Sequence, residues 1–142
     1  MSVNTGSARW SGGLKDGKGQ VSTGSGALSD QPYGFNTRFE DEPGTNPEEL
    51  IGAAHASCFS MALSMILGEH ELTADEIKTV AEVTLEQKDG GFAVTKSHLF
   101  VAAKVPGASE AAFMDAATTA KENCPISKLL DCEITMDAEL VS

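Results

Sequence analysis

From Leu50 to Leu67 the chain runs eighteen residues without a charged side chain, and no other feature limits its possible folds so strongly. The segment has the marks of a helix start. Asn46 is a good N-cap, Pro47 suits the first helical position, and Glu49 stands three residues after Asn46 as in a capping box. Glu48 and Glu49 also complement the dipole of the first turn. The pattern predicts a helix from Pro47 to Leu67, with Gly68 as its stop. Such a helix would be about 30 Å long at the standard rise. Its length is at the lower limit for a membrane span. It contains His55, Ser57, Cys58, Ser60 and Ser64, however, and no basic flank follows it. A helix that is apolar or small nearly all round is expected at the centre of a folded domain, with no membrane partner. Ala53, Ala56, Ser57, Ser60 and Ser64 form one narrow stripe along which a second helix could approach closely.

Around this helix the pattern is mixed. Ser7–Trp10, Gln20–Thr23 and Tyr33–Phe39 read as short strands separated by glycine-rich turns. In the last of them Tyr33, Phe35, Thr37 and Phe39 alternate with Arg38 on the opposite face. Downstream, Val80–Gln87 and Phe92–Val105 alternate about an Asp89-Gly90-Gly91 turn. Ser109 opens a second helix that Asn123-Cys124-Pro125 breaks. Pro125 opens a short further turn through Leu130, and Glu133–Leu140 alternates as a closing edge strand. The order predicts a single α+β domain over residues 1–142.

Charge and cysteine usage narrow the function. With 21 acidic against 10 basic residues the formal charge is -11, which excludes the Lys- and Arg-rich surface that nucleic acid or anionic membrane requires. The start of the chain shows no secretory signal, and three widely spaced cysteines are no disulfide framework, so a reducing cytoplasm is the expected compartment. Phosphate loops and dinucleotide fingerprints are absent from the sequence, and no cofactor is expected.

Three cysteines could carry chemistry. Cys58 lies mid-helix, where an inert buried thiol is the ordinary finding. Cys132 stands between Asp131 and Glu133, whose charges would oppose ionisation. Cys124, at a Cys-Pro helix start, faces unpaired backbone N–H groups that favour thiolate. Cys58 is the twelfth residue from Pro47, beyond the reach of the helix dipole, so a reactive Cys58 needs a cation from elsewhere. The chain has only Arg9 and Arg38 as arginines. Arg38 precedes Glu40, Asp41, Glu42, Glu48 and Glu49. It is either a solvated ion-pair partner or a guanidinium held by one carboxylate with donors to spare. Glu48 and Cys58 are ten residues apart, about 15 Å along one helix. If both serve one small substrate, a second copy must supply one of them, which predicts a homodimer with sites at the interface. His55 and Cys58 are i,i+3 neighbours and could share a metal or form a Cys-His pair. With no further ligand pair at zinc-like spacing, and no orienting acid or oxyanion motif, His55 reads as a hydrogen-bonded core histidine and no metal is expected.

Three stretches carry a family likeness: Gln31-Pro32-Tyr33-Gly34-Phe35-Asn36-Thr37-Arg38-Phe39, the run from Gly44-Thr45-Asn46-Pro47-Glu48 to Ala56-Ser57-Cys58-Phe59, and Asn123-Cys124-Pro125-Ile126-Ser127. Together they resemble the OsmC/Ohr family of organic hydroperoxide reductases, and the likeness covers essentially the whole chain. The Pro-Tyr-Gly-Phe-Asn-Thr-Arg stretch is similar to the OsmC branch. The resemblance implies an OsmC-like α+β fold in which two antiparallel β-sheet segments surround long central helices in an intertwined homodimer. It also implies a thiol peroxidase with Cys58 as peroxidatic cysteine, Cys124 as resolving cysteine, Arg38 as the polarising arginine and Glu48 as its orienting carboxylate. Organic hydroperoxides are the implied substrates and a lipoyl-type dithiol the implied reductant. Cys132 has no counterpart in that two-cysteine pattern. The rival reading is a redox-sensing or ligand-binding protein that forms the disulfide without turnover.

Overall fold

The structure, a computed structural model, describes residues 1–141 and divides into two compact units, the first over residues 1–50 and the second from residue 51 onward. In the first unit, β1 (Gly6–Ser11), β2 (Lys18–Thr23) and β3 (Gln31–Tyr33) form an antiparallel sheet in that order. Trp10 and Tyr33 lie over the middle strand with ring centroids 5.7 Å apart. A Cβ at Gly19 would come within 2.5 Å of the Tyr33 ring and 2.7 Å of the Trp10 ring, so the strand has to be bare there. Among the described residues of this unit only Gly19 and Gly34 are buried. The sheet has no side-chain core of its own.

The strand expected over Tyr33–Phe39 stops at Tyr33, and Phe35–Phe39 forms a short helix, α1. Phe35 and Phe39 satisfy both a two-residue alternation and the i,i+4 spacing of a helix. Their rings meet at a centroid distance of 4.9 Å. Local hydrogen bonds decide for the helix. Gly34 N–H donates to Thr37 Oγ1 (2.8 Å), Thr37 Oγ1 donates to Gly34 O (3.0 Å), and Arg38 N–H donates to Gly34 O (3.1 Å). Arg38 therefore lies on a helical turn.

The long helix α2 spans Pro47–Glu69. Glu49 N–H donates to Asn46 Oδ1 at 2.8 Å, as the N-cap reading requires, while the Glu49 carboxylate accepts from Thr45 Oγ1 at 2.8 Å. Gly68 does not stop it. The helix passes through Gly68 and closes when Glu71 adopts a left-handed conformation (φ 59), with Leu72 N–H donating to Leu67 O at 2.9 Å. Gly52, His55, Phe59, Leu63, Ile66 and Leu67 are its buried stripe. Ala53, Ala54, Ser57, Met61, Ser64 and Met65 form an exposed face without charge.

In the second unit the hairpin of β4 (Glu76–Lys88) and β5 (Gly91–Lys104) turns on Asp89 and Gly90, both with positive φ (52 and 81). The helices α3 (Glu110–Asn123) and α4 (Pro125–Leu129) follow, and then β6 (Glu133–Val141) at the sheet edge. β6 pairs with β5 in parallel, so this sheet is mixed where an antiparallel segment was expected. The helical crossover from Lys104 to Glu133 brings the chain back to the end at which β5 began, which is what a parallel neighbour needs. Phe59, Leu63 and Leu67 of α2, Leu99 and Val101 of β5, and Phe113, Ala117 and Ala120 of α3 share the core. Gly52 allows α2 to approach the sheet: a Cβ there would lie 3.1 Å from the Ala81 carbonyl oxygen. Phe59 is completely buried at the centre of this packing. Phe59→Ala is therefore expected to cost roughly 3–5 kcal/mol in urea unfolding, and a loss below about 1 kcal/mol would contradict the packing described.

Candidate active site

Two pairs of residues singled out by the sequence are brought together, each within one unit. In the first unit the Arg38 fork meets Glu48 side-on. Nε donates to Oε1 and Nη2 to Oε2, both at 2.8 Å. This bidentate geometry is among the strongest that an arginine makes with a carboxylate, and it fixes the plane of the guanidinium. Glu48 is the less exposed partner, at 12% against 34% for Arg38. The hydrogen bond to Glu48 raises the Arg38 pKa further above its already high value, burial opposing and the carboxylate charge reinforcing the shift. Glu49, the other carboxylate of the turn, accepts instead from Thr45 Oγ1. Trp10, Leu14, Tyr33, Phe35 and Phe39 enclose, with Arg38, a cavity of about 180 Å³ whose walls are mainly apolar.

In the second unit Cys58 of α2 faces Cys124, the residue joining α3 to α4. Burial pushes the Cys58 thiol up from its ordinary value. A hydrogen bond from the Ile126 backbone works in the opposite direction, and interaction with the Cys124 thiol adds to the rise. Both cysteines are free thiols, with Cys58 half-buried and Cys124 buried. Pro125 stops α3 and opens α4, and Cys124 caps the new turn by accepting from Ser127 N–H at 3.4 Å. That break in the helix sets Cys124 against α2. Cys132 is also free and half-buried, and its thiol is raised first by burial and then by Asp131. Among the described residues no group of three His, Cys, Asp or Glu side chains could hold a metal ion.

His55 is a core histidine with both ring nitrogens bonded: Nδ1 to Ser97 Oγ and Nε2 to Ser127 Oγ, each at 2.7 Å. Ser127 Oγ lies a further 3.1 Å from Cys124 Sγ. Neither serine was assigned a role from the sequence. Ser97 had one signal, since it shares the core-facing phase of β5 with Leu99, Val101 and Ala103. A hydroxyl in that phase calls for a buried partner.

The chain has relatives among known proteins. The OsmC family of OsmC-like proteins matches residues 39–139. The chain is 56% identical over 137 residues to peroxiredoxin OsmC of Escherichia coli K12, covering 96% of each. It is 30% identical over 123 residues to organic hydroperoxide resistance protein OhrB of Bacillus subtilis, covering 86% of this chain and 88% of the relative. The crystal structure of B. subtilis OhrB matches with a TM-score of 0.69 over 96% of this chain and 98% of its own, at 25% identity. An OsmC-like protein of Vibrio cholerae of unknown function has the same fold, with a TM-score of 0.75 at 19% identity over 97% of this chain and 99% of its own.

The buried imidazole gives a stability prediction. Desolvation lowers the His55 pKa in the folded chain below its ordinary value near 6.5. The unfolded chain thus takes up a proton on His55 before the folded chain does. The resulting stability is complete above that ordinary value and is lost as pH falls toward the folded one. Unfolding free energy should therefore drop between pH 7 and 5, and the drop should be shallower in a folded His55→Gln variant. Parallel pH curves for the two proteins would contradict it.

Proposed function

This chain belongs to the OsmC-like family, and on that premise we propose that it is a thiol-dependent peroxidase that reduces organic hydroperoxides to alcohols. The meeting of Cys58 with Cys124 carries this reading. Cys58 thiolate attacks the terminal peroxide oxygen, the O–O bond breaks, and the alkoxide leaves as the alcohol after taking a proton. Cys58 is then a sulfenic acid. The Cys124 sulfur displaces its hydroxyl to form an intramolecular disulfide and water. An external dithiol reopens the disulfide by exchange and becomes oxidised, and a lipoyl-type dithiol suits that role. The relatives named peroxiredoxin and organic hydroperoxide resistance protein support the substrate class. The apolar cavity beside Arg38 supports a carbon-bearing peroxide over hydrogen peroxide.

In this reading Arg38 supplies the missing cation. Glu48 occupies two of its five N–H groups, leaving three for a thiolate and a substrate oxygen. A homodimer completes the site, with Arg38 and Glu48 of one copy serving Cys58 of the other. Three observations favour it: the ten-residue spacing along α2, the uncharged outer face of that helix with Met61 and Met65 exposed, and a first unit without a side-chain core. Residues 1–142 then act as one domain per copy, and the free thiols fit a reducing cytoplasm.

Steady-state turnover of tert-butyl hydroperoxide with dihydrolipoamide tests the proposal. Cys58→Ser should abolish turnover, and retained activity would refute it. Cys124→Ser should consume about one equivalent of peroxide and then stall. Arg38→Ala should slow Cys58 oxidation on the order of a hundredfold while leaving the unfolding midpoint nearly unchanged. Light scattering at micromolar concentration should give twice the chain mass.

A further inference from the structure

His55 bridges two hydroxyls, and one of them touches the resolving sulfur. Ser97, His55, Ser127 and Cys124 form a continuous chain of contacts at 2.7, 2.7 and 3.1 Å, and all four residues are buried. They come from β5, α2 and the capped first turn of α4, so three segments bear the cost of ordering to make it. An inert core would place apolar groups here at no desolvation penalty.

A neutral imidazole has one donor and one acceptor nitrogen, and burial keeps His55 neutral. With the proton on Nε2, the directions are fixed along the chain. Ser97 O–H donates to Nδ1, Nε2–H donates to Ser127 Oγ, and Ser127 O–H donates to the Cys124 sulfur. That sulfur also accepts from Ser127 N–H at 3.4 Å. Two donors thus converge on Cys124. With the proton on Nδ1 the directions reverse, and the Ser127 hydroxyl turns to the ring and leaves Cys124 as a thiol donor.

We propose that His55 is a positioning residue for disulfide formation, acting through the Ser127 hydroxyl to hold Cys124 as the nucleophile that attacks oxidised Cys58. The inference rests on the assignment of Cys58 and Cys124 as the peroxidatic pair. In the step, a Cys124 sulfur lone pair forms the S–S bond while the S–O bond of the Cys58 sulfenic acid breaks. The Cys124 S–H proton passes to the departing hydroxyl oxygen, which leaves as water. The peroxide has already supplied the oxidising equivalents. His55 is neutral before and after.

Single-turnover experiments separate this role from a structural one. The intact chain is mixed with one equivalent of tert-butyl hydroperoxide, quenched at intervals, and the loss of Cys58 thiol and the gain of Cys58–Cys124 disulfide are followed by mass spectrometry. Ser127→Ala should leave the first rate within about twofold and slow the second about tenfold or more, as loss of a hydrogen bond to a charged group implies. Ser127→Thr, which keeps the hydroxyl, should restore the second rate. His55→Leu should behave as Ser127→Ala, and His55→Gln, which keeps a donor near the Nε2 position, should lie closer to the wild type. Disulfide formation at the wild-type rate in Ser127→Ala, failure of Ser127→Thr to rescue, or equal slowing of both steps would overturn the proposal. If the wild type forms no such disulfide, the peroxidatic pairing itself fails, and a second measurement still decides the relay. In a Cys58→Ser background, Cys124 should react with methyl methanethiosulfonate about tenfold more slowly when Ser127 is Ala, and equal rates would refute the relay.

Discussion

A sulfur atom held against a hydrophobic core resists ionisation, and this chain keeps its peroxidatic candidate in such a place. Cys58 packs beside the core of the second unit, burial raises its pKa, and one backbone N–H from Ile126 only partly offsets that. The thiol form is inert toward peroxide. Reactivity therefore depends on bringing a fixed positive charge to the sulfur, and a chain of charge -11 has few to offer. In the proposed site Arg38, held by Glu48 through two of its five N–H groups, takes that task. The apolar surroundings that make the thiol reluctant also strengthen any charge interaction that reaches it.

The same helix serves both halves of the account. The first turn of α2 carries Glu48, its middle carries His55 and Cys58, and its buried stripe anchors the second unit through Phe59, Leu63 and Leu67. Glu48 and Cys58 stand ten residues apart on α2, and the proposed site joins them by taking one from each of two copies. The proposed dimer would cover the uncharged outer face of α2 and supply the first sheet with a packing surface. The proposed redox pair, by contrast, lies within one copy. The Pro125 break sets Cys124 against Cys58, and the buried histidine relay fixes the orientation of the groups behind it.

Where the sequence was legible, the controlling interactions were local. Asn46-Pro47-Glu48-Glu49 announced the start of α2, Asp89-Gly90 the hairpin, Ser109 the start of α3 and Pro125 its break. The misreadings have equally physical causes. Phe35 and Phe39 fit two periodicities, and side-chain hydrogen bonds around Gly34 chose the helix. Gly68 resembled a stop, but Leu67 remained part of the buried stripe and the chain turned three residues later. The parallel seat of β6 depends on pairing across a helical crossover, which alternation within the strand does not encode. Arg38 was legible from the scarcity of arginines and Glu48 only through the family resemblance, while their bidentate geometry was not legible at all. The relay was the least legible part, because Ser97 and Ser127 lie 42 and 72 residues from His55 in sequence.

In the proposed dimer the cation and the thiolate of each site come from different copies. Mixing Arg38→Ala chains with Cys58→Ser chains, each inactive alone, tests it directly after dissociation and reassociation. Every mixed dimer would hold one site with both groups and one with neither, so hydroperoxide reductase activity should return to about a quarter of the wild-type level at equal mixing. Mixed dimers that form, as shown by mass, yet stay inactive would contradict the shared site.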